Sequence, residues 1–424
     1  MRTIQVPRRF VRQAWGGTET VIFETSRRLP ELGHETEILC PNALADTDEE
    51  TIDGVQVRRT GYFYPYLGLS AEAKGQLDRK AGNLVSFPLL RELLTRPGLD
   101  LVHLHTGKRL GGMVRTAARV RGIPYVVSLH GGVHDVPEEE AKTWTEPTAG
   151  TWEWGKALGW CFGSRRVLDD AAAILCVGEG ERRLTQAKYP DKRVEYLPNG
   201  VDVARFEKGD GRRFRAARGI PTDADLLLVV ARIDPQKNQA LAIDVVRALA
   251  DERPGLHLVL AGPVTDPAYA ASLRASARVQ GVGGRVHFIE DLAPRSQDLV
   301  DAYHAADVVL LPSIHEPFGI VTLEAWAAGR PVVASRTGGV PFLVEDGVDG
   351  VLLDPSDTLG WVRTVRSLLG QPASRAELAT AGYRKAAAEY DWDQITARLV
   401  TLYEDVSRSP VPVSRQSQGQ EGEG

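Results

Sequence analysis

Asp307-Val-Val-Leu-Leu-Pro312-Ser-Ile-His-Glu316-Pro-Phe-Gly319-Ile-Val-Thr-Leu-Glu324-Ala-Trp-Ala-Ala-Gly329 is the most informative stretch of the chain. Its apolar opening has the unbroken hydrophobicity of a strand buried on both faces of a parallel sheet. Pro317 and Gly319 then mark a turn into a helix that the spacing starts near Phe318. On that reading Glu316 lies on the loop and Glu324 inside the helix. The unpaired N–H groups of a first helical turn favour an anion, and the two carboxylates supply acceptors for hydroxyls. The segment suits a phosphorylated, hydroxyl-rich ligand.

The same alternation of apolar run and helix continues on both sides. Leu226-Leu-Leu-Val-Val230, Leu256-His-Leu-Val-Leu260, Val286-His-Phe-Ile289 and Pro331-Val-Val-Ala-Ser335 are strand candidates in the second half. Ile4-Gln-Val6, Glu37-Ile-Leu-Cys40, Val55-Gln-Val-Arg-Arg59, Asp100-Leu-Val-His-Leu-His105, Tyr125-Val-Val-Ser-Leu-His130, Ala173-Ile-Leu-Cys-Val177 and Val194-Glu-Tyr-Leu197 are their counterparts in the first. Strands alternating with helices predict an α/β protein with doubly wound, Rossmann-like sheets, whose active groups sit at the carboxyl ends of strands. His105, His130 and the Gly16-Gly17 loop occupy such ends. Thr18 is the expected cap of a helix that stops at Gly33, with Pro30 ending its regular part early. Residues 62–82 carry no clear pattern.

A chain of 424 residues is too long for one ordinary core. The turn Pro198-Asn-Gly-Val-Asp202 and the charged segment after it predict a boundary near 200, giving domains at 1–200 and 201–390. Residues 392–406 have amphipathic spacing, and 407–424, rich in Ser, Pro, Gln, Gly and Glu, read as a disordered tail. Hydrophobic residues at 43% and charged residues at 25% match a globular protein, and a net charge of −5 argues against nucleic acid as a partner. Three scattered cysteines, Cys40, Cys161 and Cys176, make neither a disulfide framework nor a zinc site and fit a reducing cytoplasm. The opening residues are too short and interrupted for a signal peptide, and no apolar run is long enough to span a bilayer. Peripheral membrane contact and oligomeric state stay open.

Arg232-Ile-Asp-Pro-Gln-Lys237 follows the first strand of the second half. Two cations at a strand end suit a diphosphate, Arg as a planar fork and Lys as a movable charge, although a solvated loop has the same composition. Glu316 and Glu324 are equally compatible with simple compensation of the helix dipole, Gly16-Gly17 with a tight turn, and His130 with a structural role. Their common location at strand-to-helix transitions favours one cleft.

These motifs, together with Asn199-Gly-Val-Asp202, Gly338-Gly-Val-Pro341 and Glu345-Asp-Gly347, resemble the retaining glycosyltransferases of family 4, which have the two-domain GT-B fold. The Glu-x7-Glu segment with the Arg/Lys pair carries the resemblance most specifically, and it extends over nearly the whole chain before the tail. It implies that Arg232 and Lys237 bind the diphosphate of a nucleotide-sugar, with N–H groups of Phe318, Gly319 and Ile320 beside them. Glu324 would accept from the ribose hydroxyls and Glu316 from the sugar. His130 would contact the donor sugar, Gly16 and Gly17 would let backbone approach phosphate and acceptor, and residues around Phe288 to Asp291, Ile289 among them, would lie beside the base. The final helix would return to the first domain. A UDP-sugar is the expected donor, no metal or other cofactor is required, and a hydroxyl compound is the acceptor. Arg8, Arg9 and Arg12 suggest an anionic acceptor, against the competing reading of a solvated loop. A sugar-nucleotide epimerase and a non-catalytic nucleotide-sugar binder are the alternative functions. Phe342, where such proteins often carry Glu, and the glycine-free Ile289-Glu-Asp-Leu292 depart from the family pattern and weaken inference about the base.

Overall fold

The computed structural model describes residues 1–12, 15–79, 82–130, 148, 150–293 and 295–408. Of the expected tail at 407–424, residues 407 and 408 belong to the helix Trp392–Arg408 and the rest lies outside the described residues. The chain forms two compact units: 1–177 with 181–197 and 396–408, and 178–180 with 198–395.

The strands of the first unit are β1 (Arg2–Val6), β2 (Glu35–Pro41), β3 (Glu49–Ile52), β4 (Val55–Thr60), β5 (Tyr66–Leu67), β6 (Leu101–Leu104), β7 (Tyr125–Leu129), β8 (Trp152–Glu153), β9 (Ala173–Cys176) and β10 (Val194–Tyr196). Eight of them make one sheet in the order β10-β9-β7-β6-β1-β2-β4-β3, parallel except for the β3–β4 pair, while β5 and β8 pair separately. β6, β7 and β9 are buried along their whole length, as their near-continuous apolar sequences require. Within 62–82, where the sequence is patternless, the structure places β5 and the helix Ala71–Arg79.

The helix Gly17–Arg28 corrects the expectation for Thr18. Gly16 is the cap, and Thr18 lies inside the first turn. The Glu19 carboxylate reaches back to accept from the Gly16 N–H at 3.1 Å, a task that only the longer side chain at that position performs. The regular helix does end at Arg28. Pro30 sits in the 3-10 turn Leu29–Leu32, and Gly33 closes it at φ 80°, a left-handed conformation that glycine adopts without a Cβ clash.

The second unit contains β11 (Asp225–Val230), β12 (Leu256–Ala261), β13 (Val286–Ile289), β14 (Val308–Leu311), β15 (Val332–Ser335) and β16 (Val351–Leu353), all parallel, in the order β13-β12-β11-β14-β15-β16. The strand order reverses between β11 and β14. Period-two alternation sends Leu227, Val229, Val308 and Leu310 to one apolar layer, with Leu241, Val245 and Leu249 of the helix Gln239–Leu249. Leu226, Leu228, Val309 and Leu311 go to the other, with Leu323 and Trp326 of the helix Ile320–Ala327. Helices following the two adjacent strands therefore lie on opposite faces and leave a crevice at their carboxyl ends.

Trp326 anchors the Ile320–Ala327 helix. It is fully buried, and its indole N–H donates to the Asp349 carbonyl at 2.8 Å. Gly382 on the helix Pro372–Lys385 lies so close that a Cβ there would stand 2.2 Å from the indole ring. Gly382→Ala gains ~1 kcal/mol of helix propensity but overpacks a rigid neighbour at a cost of ~1–3 kcal/mol. We therefore expect net destabilisation, seen as a lower urea midpoint; a raised midpoint would refute this packing.

Candidate functional site

Two loops meet at the carboxyl ends of β11 and β14. The first carries Arg232 and then the 3-10 turn Pro235–Lys237, closed by Asn238 in a left-handed conformation at φ 51°. The second runs from Pro312 to Gly319. They are tied together by the Ile314 N–H, which donates to the Gln236 carbonyl at 2.9 Å, and by Lys237 Nζ, which lies 2.8 Å from Glu316 Oε2. Both side chains of this ion pair are largely buried. Arg232 stands apart, more than half exposed and 3.3 Å from Asp234.

Glycines set the position of the Glu316 carboxylate. The Gly339 N–H donates to the Glu316 carbonyl at 2.9 Å. Gly338, at φ 54°, approaches so closely that a Cβ would stand 2.1 Å from the Glu316 carbonyl oxygen. The helix begins at Ile320, with Gly319 as its cap at φ 95°. Phe318 is buried, so its ring anchors the turn. Thr322 N–H donates to the Gly319 carbonyl, whereas no described residue accepts from the N–H groups of Phe318, Gly319, Ile320 or Val321. Free donors at a helix start suit an anion.

Glu324 lies one turn into the helix and accepts from the Tyr303 hydroxyl at 2.6 Å. Burial pushes its carboxyl up to about 7, against the Tyr303 hydrogen bond and the Arg205 charge, which pull it down. Near neutrality it is thus poised between a hydroxyl-accepting carboxylate and a neutral acid. Ile289 ends β13. Its side chain belongs to the core because the alternation of β13 points it inward, and its carbonyl accepts from the Gly262 N–H at 2.9 Å. Its neighbour Phe288 is covered by the Arg274 guanidinium, 4.0 Å from the ring centroid.

In the first unit, Gly16 and Gly17 lie at the start of the helix after β1, and His130 follows β7. His130 Nε2 is 2.9 Å from His105 Nδ1, and His105 Nε2 is 2.8 Å from Gln5 Oε1. Burial lowers the His130 pKa to about 4. Arg8 and Arg9 of the first loop are tied into the structure, whereas Arg12 is exposed. Arg8 donates to the carbonyls of Leu77, Asp78 and Arg79, and Arg9 to that of Asp78, at the end of the Ala71–Arg79 helix, where unpaired carbonyls and the helix dipole attract cations. Arg12 pairs with Glu50 at 2.9 Å.

A family model described as glycosyl transferase 4-like domain matches residues 16–200, and one described as glycosyl transferases group 1 matches residues 210–385. The chain belongs to the group 1 glycosyltransferases, family 4. The D-inositol 3-phosphate glycosyltransferase of Mycobacterium avium is 32% identical over 400 residues, spanning 92% of this chain and 88% of that protein. The enzyme of that name from Mycolicibacterium smegmatis is 30% identical over 426 residues, spanning 95% and 90%. The crystal structure of Anabaena HepE with UDP-glucose superposes with a TM-score of 0.68 at 19% identity, over 96% of this chain and all of that one, a likeness of fold. That fold is GT-B. No described helix is long and apolar enough to cross a membrane.

For this glycosyltransferase, sequence reasoning missed Tyr303 as the partner of Glu324 and the direct pairing of Lys237 with Glu316. Tyr303 stands just ahead of the apolar run that opens at Asp307, but nothing in the sequence says which acid it meets. Gly338→Ala should displace the Glu316 loop and lower kcat/KM for transfer by roughly a hundredfold, since misplacement of about 1 Å at a site has that effect; unchanged kcat/KM would refute the constraint. Between the ordinary carboxyl value of 4.5 and about 7, the unfolded chain ionises at Glu324 while the folded chain keeps its proton. The contribution of this group therefore falls as pH rises through that window. The urea-derived stability of the wild type relative to Glu324→Gln should drop by ~1–2 kcal/mol across it, allowing for partial exposure of the side chain. A flat difference would exclude the raised pKa.

Proposed function

We propose that this glycosyltransferase moves a hexosyl unit from UDP-sugar to a hydroxyl of a phosphorylated polyol, with retention and without a metal. The convergence of Lys237, Glu316 and the N–H groups of the Ile320–Ala327 helix at one strand crossover carries this reading. UDP-glucose in the HepE structure supports the donor, and the relatives named for D-inositol 3-phosphate support the acceptor.

In the reaction the bond from the anomeric carbon to the diphosphate oxygen breaks as a bond to the acceptor oxygen forms on the same face. Negative charge grows on the departing diphosphate. Lys237 and the helix N–H groups stabilise it from fixed positions, joined by the exposed Arg232, and such preorganised electrostatics can supply the largest part of a rate enhancement. These cations do the work a metal would do. The acceptor proton passes to the departing diphosphate, so no protein base is assigned. Without donor, Lys237 is neutralised by Glu316. On binding, the diphosphate competes for Lys237, and Glu316 is released to accept from sugar hydroxyls. Glu324 accepts from the ribose. His130 contacts the sugar, and Gly16 and Gly17 admit the phosphate and acceptor.

Lys237→Ala should lower transfer by ~10²–10³-fold. Circular dichroism and the urea midpoint monitor folding, because the substitution also strands a largely buried Glu316. Wild-type turnover in a folded variant would overturn the assignment. Among UDP-, GDP- and ADP-sugars, UDP-glucose should give the largest rise in melting temperature, about 2.7 kcal/mol of stabilisation at a hundredfold excess over Kd. Equal shifts from all three would remove the preference for uridine. An α-configured product that forms undiminished in excess EDTA would bear out retention and metal independence; an inverted product or loss of activity would reject them.

A further inference from the structure

A row of polar side chains crosses the sheet of the first unit where an apolar layer would be expected. Period-two alternation puts Gln5 of β1, His103 of β6 and Ser128 of β7 on the face that Leu101, Val126 and Leu175 share with Leu399, Leu402 and Tyr403 of the C-terminal helix Trp392–Arg408. His105 and His130 continue the same alternation just beyond β6 and β7. Gln5 and Tyr403 have no solvent exposure, and His103 has 2%. Groups so buried must satisfy one another, and they do so as a single chain.

The direction of that chain follows from one short contact. Tyr403 Oη lies 2.6 Å from His103 Nδ1, a length that suits a donated O–H better than an accepted N–H. If the phenol donates there, it accepts from Gln5 Nε2, 3.1 Å away. Gln5 Oε1 then faces His105 Nε2 at 2.8 Å and must receive its proton. His105 is left with an acceptor at Nδ1, which His130 Nε2–H fills at 2.9 Å. At the other end, His103 Nε2–H donates to Ser128 Oγ at 2.7 Å. Each ring must carry a single proton for this order to propagate. Burial ensures it, holding His103 at about 3 and His130 at about 4, and His105 well below the ordinary histidine value.

We infer that Tyr403 and Gln5 are positioning residues that fix His130 in its Nε2–H tautomer, so that its Nδ1 is presented as a hydrogen-bond acceptor for a hydroxyl of the donor sugar. The role of Nδ1 rests on the proposed contact between His130 and the sugar; the tautomer does not. A reversed chain, with the Gln5 amide turned over, would present an N–H donor instead and would favour a different sugar atom. The final helix thus contributes chemistry as well as packing. Its phenol is linked through Gln5 and His105 to the histidine whose tautomer it sets.

The test uses the full-length protein with ¹⁵N-labelled histidine, long-range proton–nitrogen correlation spectra, and a His130→Gln variant to assign the signals. The wild type should show His130 protonated at Nε2 and bare at Nδ1. Tyr403→Phe and Gln5→Leu should move both nitrogens toward the average of the two tautomers. In both variants kcat should fall about tenfold or more, since orientation at a reacting centre is lost, while the affinity for UDP alone stays within about twofold. Protonation at Nδ1 in the wild type overturns the inference, and that measurement needs no variant to fold. So does an unchanged tautomer with unchanged kcat in folded variants. A parallel loss of UDP affinity and of thermal stability would reveal general damage and also reject a positioning role. If no nucleotide-sugar is turned over, the functional reading fails, and the wild-type spectrum still decides the tautomer.

Discussion

Parallel pairing of β11 with β14 is the constraint on which the second unit depends. The two strands are neighbours in the sheet, yet their following helices pack on opposite apolar layers. A single sheet cannot fill the space between two connections that diverge from adjacent strand ends, so a crevice opens there. Lys237 of one loop and Glu316 of the other reach into the same place because each loop leaves from that crossover. The Lys237–Glu316 contact is its most direct expression, made by residues far apart in the chain and nearly touching in space.

Charge at this point is held in balance. A largely buried ion pair, helped here only by the Ser313 hydroxyl 3.5 Å from Glu316 Oε2, does little for stability, because desolvation offsets much of the attraction. Its presence here makes better sense as a state that a bound anion exchanges. Backbone geometry keeps the acid in range. Gly319 and Gly338 adopt left-handed conformations, and Gly338 and Gly339 pass the carbonyls of Glu316 and Pro317 at distances no side chain would permit. The buried Trp326 then holds the helix whose start supplies the N–H donors.

The first unit solves a different problem. Its sheet carries polar residues on a buried face, where each unpaired group would cost ~1–3 kcal/mol. The C-terminal helix covers that face with leucines at Leu399 and Leu402 and a phenol at Tyr403, matching apolar to apolar and polar to polar. The arginines of the loop after β1 serve structure too, satisfying the carbonyls at the end of the Ala71–Arg79 helix. A guanidinium has five donors and reaches several carbonyls at once, which makes it well suited to that task.

Hydrophobic periodicity by itself determined the alternation of strands and helices, the doubly wound class, the loop position of Glu316 and the helical position of Glu324. These features are local, since period and turn chemistry are written in neighbouring residues. Several short elements were not legible: β3, β5 and β16 have few residues and little periodicity, and the cap at Gly16 rather than Thr18 rests on the Glu19 side chain reaching back. Only tertiary structure decided that Lys237 meets Glu316, that Glu324 meets Tyr303, that Ile289 faces the core, and that Arg8 and Arg9 close a helix. It also decided that Gln5, His103, His105, His130 and Tyr403 form one chain. The alternation of His103 in β6 with His105 just beyond it hinted at a shared face, but not at what covers it. The physical reason is that partner choice depends on strand order and on which layer a helix joins, and both are settled by burying the whole apolar surface together rather than by any stretch of sequence alone.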